Sequence, residues 1–475
     1  MTKEVILDYG LARTLGLLDI TMIGVGAMIG AGIFVLTGVA AGIAGPALIL
    51  VFCFNGIIAS LTALAYAELG SAMPQAGGGY VWCKESMPGP SGFVAGWMDW
   101  FAHTIAGSLY ALGFAAYFAL ILESMGISLF GLGIELTIKL FAVLIIVVFV
   151  AINFKGASET GRTGVIVTFG KVIILAIFVG AGLWIMYNKT DYGLSNFSPF
   201  IPNGFGSIFI ACGLTFITFE GYEIIAQAGE EVRNPKKNVP RATILAIIVV
   251  IPIYCFVAFA TLGALTVESD TTPWQFLGKY GELGLVEAAK QFIPFGVGAF
   301  ILIFGGLLST MSALNATTYS STRVAFAMSR DNFLPKKLAR IHKTNQTPYV
   351  ALLFSGTIMI LMSVAIPLED VASACSLMFL LLFILVNIAV ILIRRNPQMF
   401  NHLKYGFRIP SVHNIPFVPI IAIAANSCLA IFLFQYSPTA WFVTILWVLI
   451  GLGLYAVYSR RNYLRETEPR KKYSQ

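Results

Sequence analysis

Residues 24–34 read GVGAMIGAGIF, so that four glycines and two alanines lie within an apolar run. Apolar stretches continue on both sides, over residues 15–23 and 35–45, as the two halves of a membrane span would. Glycine disfavours a helix interior by about 1 kcal/mol relative to alanine. Two structures fit this pattern: a packing face of small residues, for which Gly26 and Gly30 have the right spacing, and a helix interrupted within the membrane. Taken alone, the stretch favours the packing face.

The composition indicates a membrane protein with many spans. Of the 475 residues, 58% are hydrophobic and 11% are charged, whereas a soluble domain carries about 25% charged residues. The start, MTKEVILDYGLART, lacks the pattern of a cleavable signal peptide, so we expect the first span to direct insertion. The six cysteines are scattered without a CxxC pair, which predicts small buried side chains and neither a disulfide nor a metal site.

Apolar runs of about twenty residues predict an all-α protein with twelve transmembrane helices. The predicted spans are 17–40, 46–69, 92–121, 133–154, 164–187, 203–229, 241–265, 292–322, 349–366, 370–394, 415–435 and 439–458. Between spans 7 and 8, the polar segment 266–291 is expected to hold a short surface helix.

The distribution of basic residues predicts the orientation. Most of the 30 Lys and Arg residues fall at the termini and in the loops after even-numbered spans; the exceptions are Lys139, Lys171, Lys189, Lys279 and Lys290. Cytoplasmic loops carry such an excess, so the segment 1–16 and the basic tail 459–475 are both expected in the cytoplasm, with the spans in the cytoplasmic membrane. The net charge of +7 is thereby explained without a nucleic-acid partner.

The sixth span reads CGLTFITFEGYEIIAQAGEE over residues 212–231. Two glutamates and a glycine deep in an apolar run predict a helix interrupted near 218–222, because charged side chains at that depth face a cavity or a partner. Interruptions five spans apart are typical of an inverted repeat that binds its substrate mid-membrane. Exposed N–H groups suit a carboxylate and exposed carbonyls suit an ammonium, as an amino acid requires. This match reverses the balance for residues 24–34 in favour of a binding site.

Three stretches together resemble one family: RTLGLLDITMIGVGAMIGAGIFVLTG (13–38), GEEVRNPKKNVPRA (229–242) and LNATTYSSTRVAFAMSRDNFLP (314–335). They look like amino acid–polyamine–organocation (APC) transporters, most of all prokaryotic amino acid permeases related to the cationic amino acid transporter branch. The resemblance implies a LeuT-type fold with a first repeat over 17–187, a second over 203–394 and two further spans over 415–458. Substrate would lie between spans 1 and 6, flanked by spans 3 and 8.

The resemblance also implies the substrate contacts. The backbone that matches the carboxylate-binding segment is that of Gly30, Ala31 and Gly32. The residues that match the amine-binding side are Ala27, Met28, Ile217 and Glu220. Ile217 departs from the bulky aromatic that many relatives use as a gate, and Phe216 or Phe219 is the candidate replacement.

Lys171, in GVIVTFGKVIILAIF (164–178), is the most informative single residue. A lysine centred in a span is costly unless it is neutral, paired or in a wet cavity, and the alternative is a side chain that reaches back to an interface. The resemblance implies that the amine of Lys171 occupies the place that a sodium ion takes in sodium-coupled relatives, and therefore that transport is coupled to protons. Sodium coupling would require the side chain of Lys171 to point away from that place. Ser312 of span 8 is the expected partner.

Other polar residues carry two interpretations. Glu223 is either a proton carrier or a cap of the second half-helix. Glu220, where relatives often have an apolar residue, either recognises a cationic substrate or bonds within the interruption. Asp99 and His103 share a helix face, where a structural histidine is favoured over a proton sensor. Ser309, Thr310, Ser312 and Asn315 lie in one region of span 8. Hydroxyls there are expected by default to bond their own helix, and Ser312 is the one expected to face Lys171.

Together these features predict a secondary active amino acid transporter that works by alternating access with proton symport. It needs no cofactor beyond a proton gradient, and its partners are the amino acid and the bilayer. An exchanger of amino acids or polyamines is the alternative within transport. A channel or a membrane enzyme is a different class; mid-span glycine breaks and the lack of HExxH, nucleotide-binding or triad motifs disfavour an enzyme.

Overall fold

The computed structural model describes residues 13–75, 77–87, 89–126, 133–155, 162–191, 193–268, 270–294, 296–411 and 416–460. Most of the predicted N-terminal segment 1–16, including Lys3, and nearly all of the tail 459–475 lie outside these ranges. The described chain is helical throughout, and its one isolated β-bridge joins Leu15 to Val232. All six cysteines lie in described ranges and are free thiols.

The helices follow the apolar runs of the sequence. In the first part of the chain they are α1 (Leu17–Met28), α2 (Ala31–Ala44), α3 (Leu48–Ala72), α4 (Gly78–Ser86), α5 (Pro90–Ser124), α6 (Ile134–Phe154) and α7 (Arg162–Asn188). In the second they are α8 (Phe205–Thr215), α9 (Tyr222–Gln227), α10 (Pro235–Ala264), α11 (Pro273–Tyr280), α12 (Gly284–Phe292), α13 (Val297–Arg330), α14 (Tyr349–Ala365), α15 (Leu368–Arg395), α16 (Pro397–His402), α17 (Phe417–Tyr436) and α18 (Pro438–Leu454).

Within the described ranges, ten helical segments are long and apolar enough to cross a membrane. The first of them, Leu17–Ala72, is 56 residues long and contains α1, α2 and α3. The 17-residue helix α14 is apolar but shorter than the others. The protein is therefore an all-helical, multi-pass membrane protein.

The glycine-rich stretch separates α1 from α2. The helix ends at Met28, Ile29 and Gly30 leave helical geometry, and a new helix begins at Ala31. Gly30 is extended, with φ −92° and ψ −155°. The first N–H groups of α2 and the last carbonyls of α1 therefore lack partners within their own helices.

A second interruption divides α8 from α9. After Thr215 the chain tightens into a 3₁₀ turn over Phe216–Phe219, passes through an extended Glu220 and turns at Gly221, whose φ is 137°. The break lies within the predicted interval of 218–222. Gly221 is required there because side-chain-bearing residues rarely adopt that φ.

The two interruptions lie directly against each other. A Cβ atom on Gly221 would stand 2.6 Å from the backbone nitrogen of Met28 and 2.7 Å from the Cβ of Ala27. On the other side of the contact, Gly32 packs on the side chain of Thr218. The absence of side chains at both glycines allows the two broken backbones to touch.

Two boundaries differ from the sequence prediction. The eighth span was expected over 292–322, but α12 ends at Phe292 and α13 runs from Val297 to Arg330. Pro294 and a left-handed Gly296, with φ 73°, separate the two helices. The single surface helix expected in 266–291 is instead a pair, α11 and α12, and α11 packs on α2 where Gly42 and Gly278 meet backbone to backbone.

A short backbone bridge joins the residues before α1 to those after α9. The N–H of Leu15 donates to the carbonyl of Glu231 at 3.0 Å, and the N–H of Arg233 donates to the carbonyl of Leu15 at 2.8 Å. The beginning of α1 and the end of α9 are thus held together on one side of the protein.

We expect Gly221→Ala to destabilise the protein by about 1–3 kcal/mol, because it places a side chain at an unfavourable φ and against the α1 backbone. The measurement is the midpoint of thermal unfolding in detergent. Gly180→Ala is the control, because a Cβ atom there meets nothing within 4 Å and alanine favours a helix. Equal midpoints for the two variants would contradict the required contact between the interruptions.

Candidate functional site

Lys171 crosses from α7 to the interruption between α1 and α2. Its side chain is fully buried, and its Nζ atom donates to the carbonyls of Gly26 at 2.9 Å and Ile29 at 3.1 Å and to Ser312 Oγ at 2.5 Å. An ammonium has three donors, so all three are used. The side chain therefore ends inside the protein and joins α7 to both α1 and α13.

Two hydroxyl groups also bond carbonyls of the first interruption. Ser309 Oγ donates to Ile29 O, 2.5 Å away, and also lies 3.1 Å from Gly30 O. The hydroxyl of Tyr254, from α10, lies 2.6 Å from Met28 O and 3.0 Å from Thr218 O. Tyr254 therefore bridges the two interruptions, one carbonyl from each.

The beginning of α2 presents the opposite polarity. Ala31 and Gly32 are its first residues, and their N–H groups have no acceptor within the helix. Gly30, just before them, faces Tyr110 and Ala313: a Cβ atom there would lie 3.3 Å from each side chain. The N–H groups at the beginning of α2 and the carbonyls at the end of α1 are thus separated by only two residues of chain, Ile29 and Gly30.

A small cavity lies beside the two interruptions. It is lined by Ala27, His103, Ala106, Tyr110, Glu220, Gly221, Glu223, Ile224, Ala313, Ala316, Thr317 and Phe379. These residues come from α1, α5, the second interruption, α9, α13 and α15. Its volume is about 10 Å³, roughly the room for one water molecule. A ligand as large as an amino acid would fit this space only if the surrounding helices moved apart.

Three buried titratable groups form a chain along one wall of the cavity. His103 Nδ1 lies 3.0 Å from Asp99 Oδ1, and His103 Nε2 lies 3.9 Å from Glu223 Oε1. The other oxygen of Glu223 accepts the N–H of Gly221 at 2.7 Å. The expected pairing of Asp99 with His103 is therefore present, and Glu223 both caps the second half-helix and faces the histidine.

Glu220 differs from its neighbours. Its side chain is 3% exposed and lines the cavity. Neither carboxylate oxygen has a hydrogen-bond partner among the residues that the structure describes. A buried acceptor pair without donors is unfavourable, so both oxygens of Glu220 remain able to accept hydrogen bonds.

The residues singled out from the sequence occupy different places. Ala27, Glu220 and Glu223 line the cavity, and Gly30 faces two residues that do. Those that lie outside the lining are Met28, Ala31, Gly32, Ile217, Phe219, Lys171 and Ser312. The N–H of Ile217 donates to Ser376 Oγ at 3.1 Å, which ties the 3₁₀ turn to α15.

The aromatic residues at the cavity are not those considered from the sequence. Phe219 packs edge-on against Tyr254, with ring centroids 5.0 Å apart, and Phe216 packs against Phe383. The aromatic side chains that line the cavity are Tyr110 and Phe379. A tyrosine on a long apolar span was the available signal for both Tyr110 and Tyr254, because a buried hydroxyl needs a partner.

The hydroxyls of α13 divide between two roles. Thr310 bonds the carbonyl of Gly306 in its own helix at 2.8 Å, as expected. Ser309 instead bonds the first interruption, and Asn315 accepts a hydrogen bond from Asn153 at 2.9 Å. Within the described ranges, no group of three or more His, Cys, Asp or Glu side chains is arranged to hold a metal ion.

Comparison with known proteins gives consistent matches over nearly the whole chain. A family profile described as amino acid permease matches residues 15–457. The branched-chain amino acid permease BcaP of Bacillus subtilis is 32% identical, covering 96% of this chain and 95% of the relative. The methylthioribose transporter of the same organism is also 32% identical, with 96% and 95% covered. The serine/threonine exchanger SteT of Bacillus subtilis is 28% identical, covering 88% of this chain and 90% of the relative.

We expect Tyr254→Phe to lower stability by about 1–3 kcal/mol, because a carbonyl at the interruptions loses its buried hydroxyl donor. Thermal unfolding in detergent measures the effect. Tyr349→Phe, at the half-buried beginning of α14, is the matched control and should change the midpoint little. A Tyr254→Phe protein as stable as this control would show that the bridge contributes nothing.

Proposed function

The chain belongs to the amino acid permease family, and from that premise we propose that it is a secondary active transporter of an amino acid. The transporter would work by alternating access in the cytoplasmic membrane. The observation that supports this most directly is the contact between two interrupted helices beside a cavity. Discontinuous helices of this kind bind substrates near the bilayer midplane. The relatives are named as permeases, transporters and an exchanger, not as enzymes.

We infer twelve crossings arranged as a five-plus-five inverted repeat with two further helices. The segment Leu17–Ala72 has 56 residues, and a bilayer core of about 30 Å takes about twenty, so this segment supplies two crossings. The shorter α14 supplies one more. Interruptions in the first and sixth crossings then occupy equivalent places in the two repeats. The excess of basic residues supports cytoplasmic termini.

The polarity of the interruptions supports a zwitterionic substrate. Its carboxylate would bind the N–H groups at Ala31 and Gly32, where the dipole of α2 favours negative charge, and that of Gly30 once this N–H gives up its 2.7 Å bond to Met28 O. Its ammonium would bind carbonyls at Ala27 and Met28 and in the second interruption around Ile217 and Glu220. Phe219 supports this site from behind through Tyr254.

We infer that Lys171 couples transport to protons. Three oxygens surround its Nζ atom at 2.5–3.1 Å, an arrangement that also suits a small cation. A neutral amine has one donor fewer than an ammonium, so loss of the proton releases one contact between α7 and either α1 or α13. Glu223 is a second proton carrier in this proposal, because it faces His103 across 3.9 Å.

Exchange is the second candidate, and the relative named as a serine/threonine exchanger supports it. Counterflow in proteoliposomes, with and without a pH gradient, separates the two. Two relatives of equal identity are named for different substrates, branched-chain amino acids and methylthioribose. Overall identity therefore does not indicate the substrate, which we expect the residues of the cavity to determine. A thermal-shift screen of the purified protein against amino acids and methylthioribose tests this, since a ligand stabilises the fold it binds.

We expect Gly30→Leu to abolish amino acid binding while leaving a folded protein. The new side chain would extend towards Tyr110 and Ala313 and fill the cavity, and Gly30 itself has an extended backbone that leucine adopts. Ligand-induced thermal shift and size-exclusion chromatography check the two parts. Gly180→Ala is the control. Normal affinity in Gly30→Leu would return residues 24–34 to a packing role alone.

We expect Lys171→Met to remove the response of uptake to a pH gradient, while substrate counterflow continues. Uptake into proteoliposomes with an imposed gradient measures it. Lys189→Met is the matched control, because Lys189 bonds the carbonyls of Gly263 and Leu265 away from the cavity. Full gradient-driven uptake by Lys171→Met, or a strict need for sodium in the wild type, would contradict proton coupling.

A further inference from the structure

The cavity carries an excess of acidic groups. Glu220 and Glu223 line it, together with His103, and Asp99 lies behind the histidine. Among the described lining residues there is no lysine or arginine. The cavity wall is otherwise apolar or uncharged, so nothing in it offsets two carboxylates except one imidazole.

That imidazole is held by Asp99 and not by Glu220. Its Nδ1 lies 2.9 Å from the backbone oxygen of Asp99 and 3.0 Å from Asp99 Oδ1, and its Nε2, 3.9 Å from Glu223 Oε1, makes no hydrogen bond among the described residues. Glu223 receives a hydrogen bond from the N–H of Gly221. No hydrogen bond joins the histidine to Glu220, because both carboxylate oxygens of Glu220 lack a partner among the described residues.

Lys171 is also committed. Its three donors go to Gly26, Ile29 and Ser312, which leaves none for a carboxylate. These contacts are on the side of the first interruption that packs against α7 and α13. The protein therefore supplies Glu220 with neither a cation nor, among the described residues, a hydrogen-bond donor.

From this we propose that the Glu220 carboxylate binds a cationic group at the end of the substrate side chain, so that the transported amino acid is a basic one. This inference rests on the proposed function, since it assigns the α-carboxylate and α-amine to the backbone of the interruptions. An ammonium or guanidinium brings the donors that Glu220 lacks, and charge-assisted bonds of this type are strong in a buried site. Glu220 would then determine specificity.

The first test compares lysine with norleucine, which has the same carbon chain without the terminal ammonium. Ligand-induced thermal shift and competition for uptake are measured on the full-length protein in detergent and in proteoliposomes. We expect lysine to bind at least about tenfold more tightly than norleucine, because a site built around a buried polar group rejects the analogue that leaves it unpaired. In Glu220→Gln the difference should fall below about threefold.

The control is Glu282→Gln, which removes a carboxyl from the short turn between α11 and α12 and should keep the preference for lysine. A wild type that binds both ligands equally, or a Glu220→Gln protein that keeps the tenfold preference, would overturn the proposal. If neutral amino acids bind without preference, this inference fails and the proposed function stands. If no amino acid binds or is carried, the proposed function fails.

A second variant keeps the test decisive if Glu220→Gln does not fold. Glu220→Asp retains the charge and withdraws it by one methylene. Across diaminopropionate, diaminobutyrate, ornithine and lysine, the best-bound chain length should become one methylene longer in Glu220→Asp than in the wild type, or affinity for lysine should fall if lysine is already the optimum. An unchanged order and unchanged affinities would show that the carboxylate does not contact the side-chain cation.

Discussion

An interrupted helix inside a membrane must satisfy its backbone polar groups within the protein, because lipid offers them no partner. In this chain the carbonyls exposed at the end of α1 receive donors from Lys171, Tyr254 and Ser309, which lie on three different helices. The interruption is thus held open by side chains from outside it. Because the last carbonyls of α1 have no partner in their own helix, the side chains that donate to them fix where α7, α10 and α13 lie relative to the interruption.

The sequence was most informative where charged or helix-weakening residues occur in the middle of an apolar run. Two glutamates in one apolar run and a lysine in another are unfavourable in lipid, and the glycines of a third run weaken a helix. The structure brings these three groups of residues to neighbouring places. Tyr254 was not recognised, because a tyrosine in an apolar span indicates that its hydroxyl needs a partner but not which partner it has. Whether its hydroxyl reaches a carbonyl depends on how α10 is placed beside α1, which local sequence does not encode.

The glycines of residues 24–34 show that the two interpretations of this stretch are compatible. Gly24 packs on Ile225, Gly26 on Thr168 and Gly32 on Thr218, so three of them allow close approach of neighbouring elements. Gly30 is the one that faces residues of the cavity wall. Packing and interruption therefore use the same composition, and spacing alone does not tell them apart. The boundary at Phe292 was missed for a related reason, since Pro294 and Gly296 end an apolar run that hydropathy reads as continuous.

The bridge between Leu15 and Val232 gives the half-helices α1 and α9 a shared attachment. Each of them adjoins an interruption at one end, and two backbone hydrogen bonds join the segments at their other ends. The two half-helices are therefore fastened to each other on the side away from the interruptions. A force on the chain just before Leu15, from a fusion partner joined directly to it or a crosslink placed there, therefore acts on this attachment and on both half-helices at once.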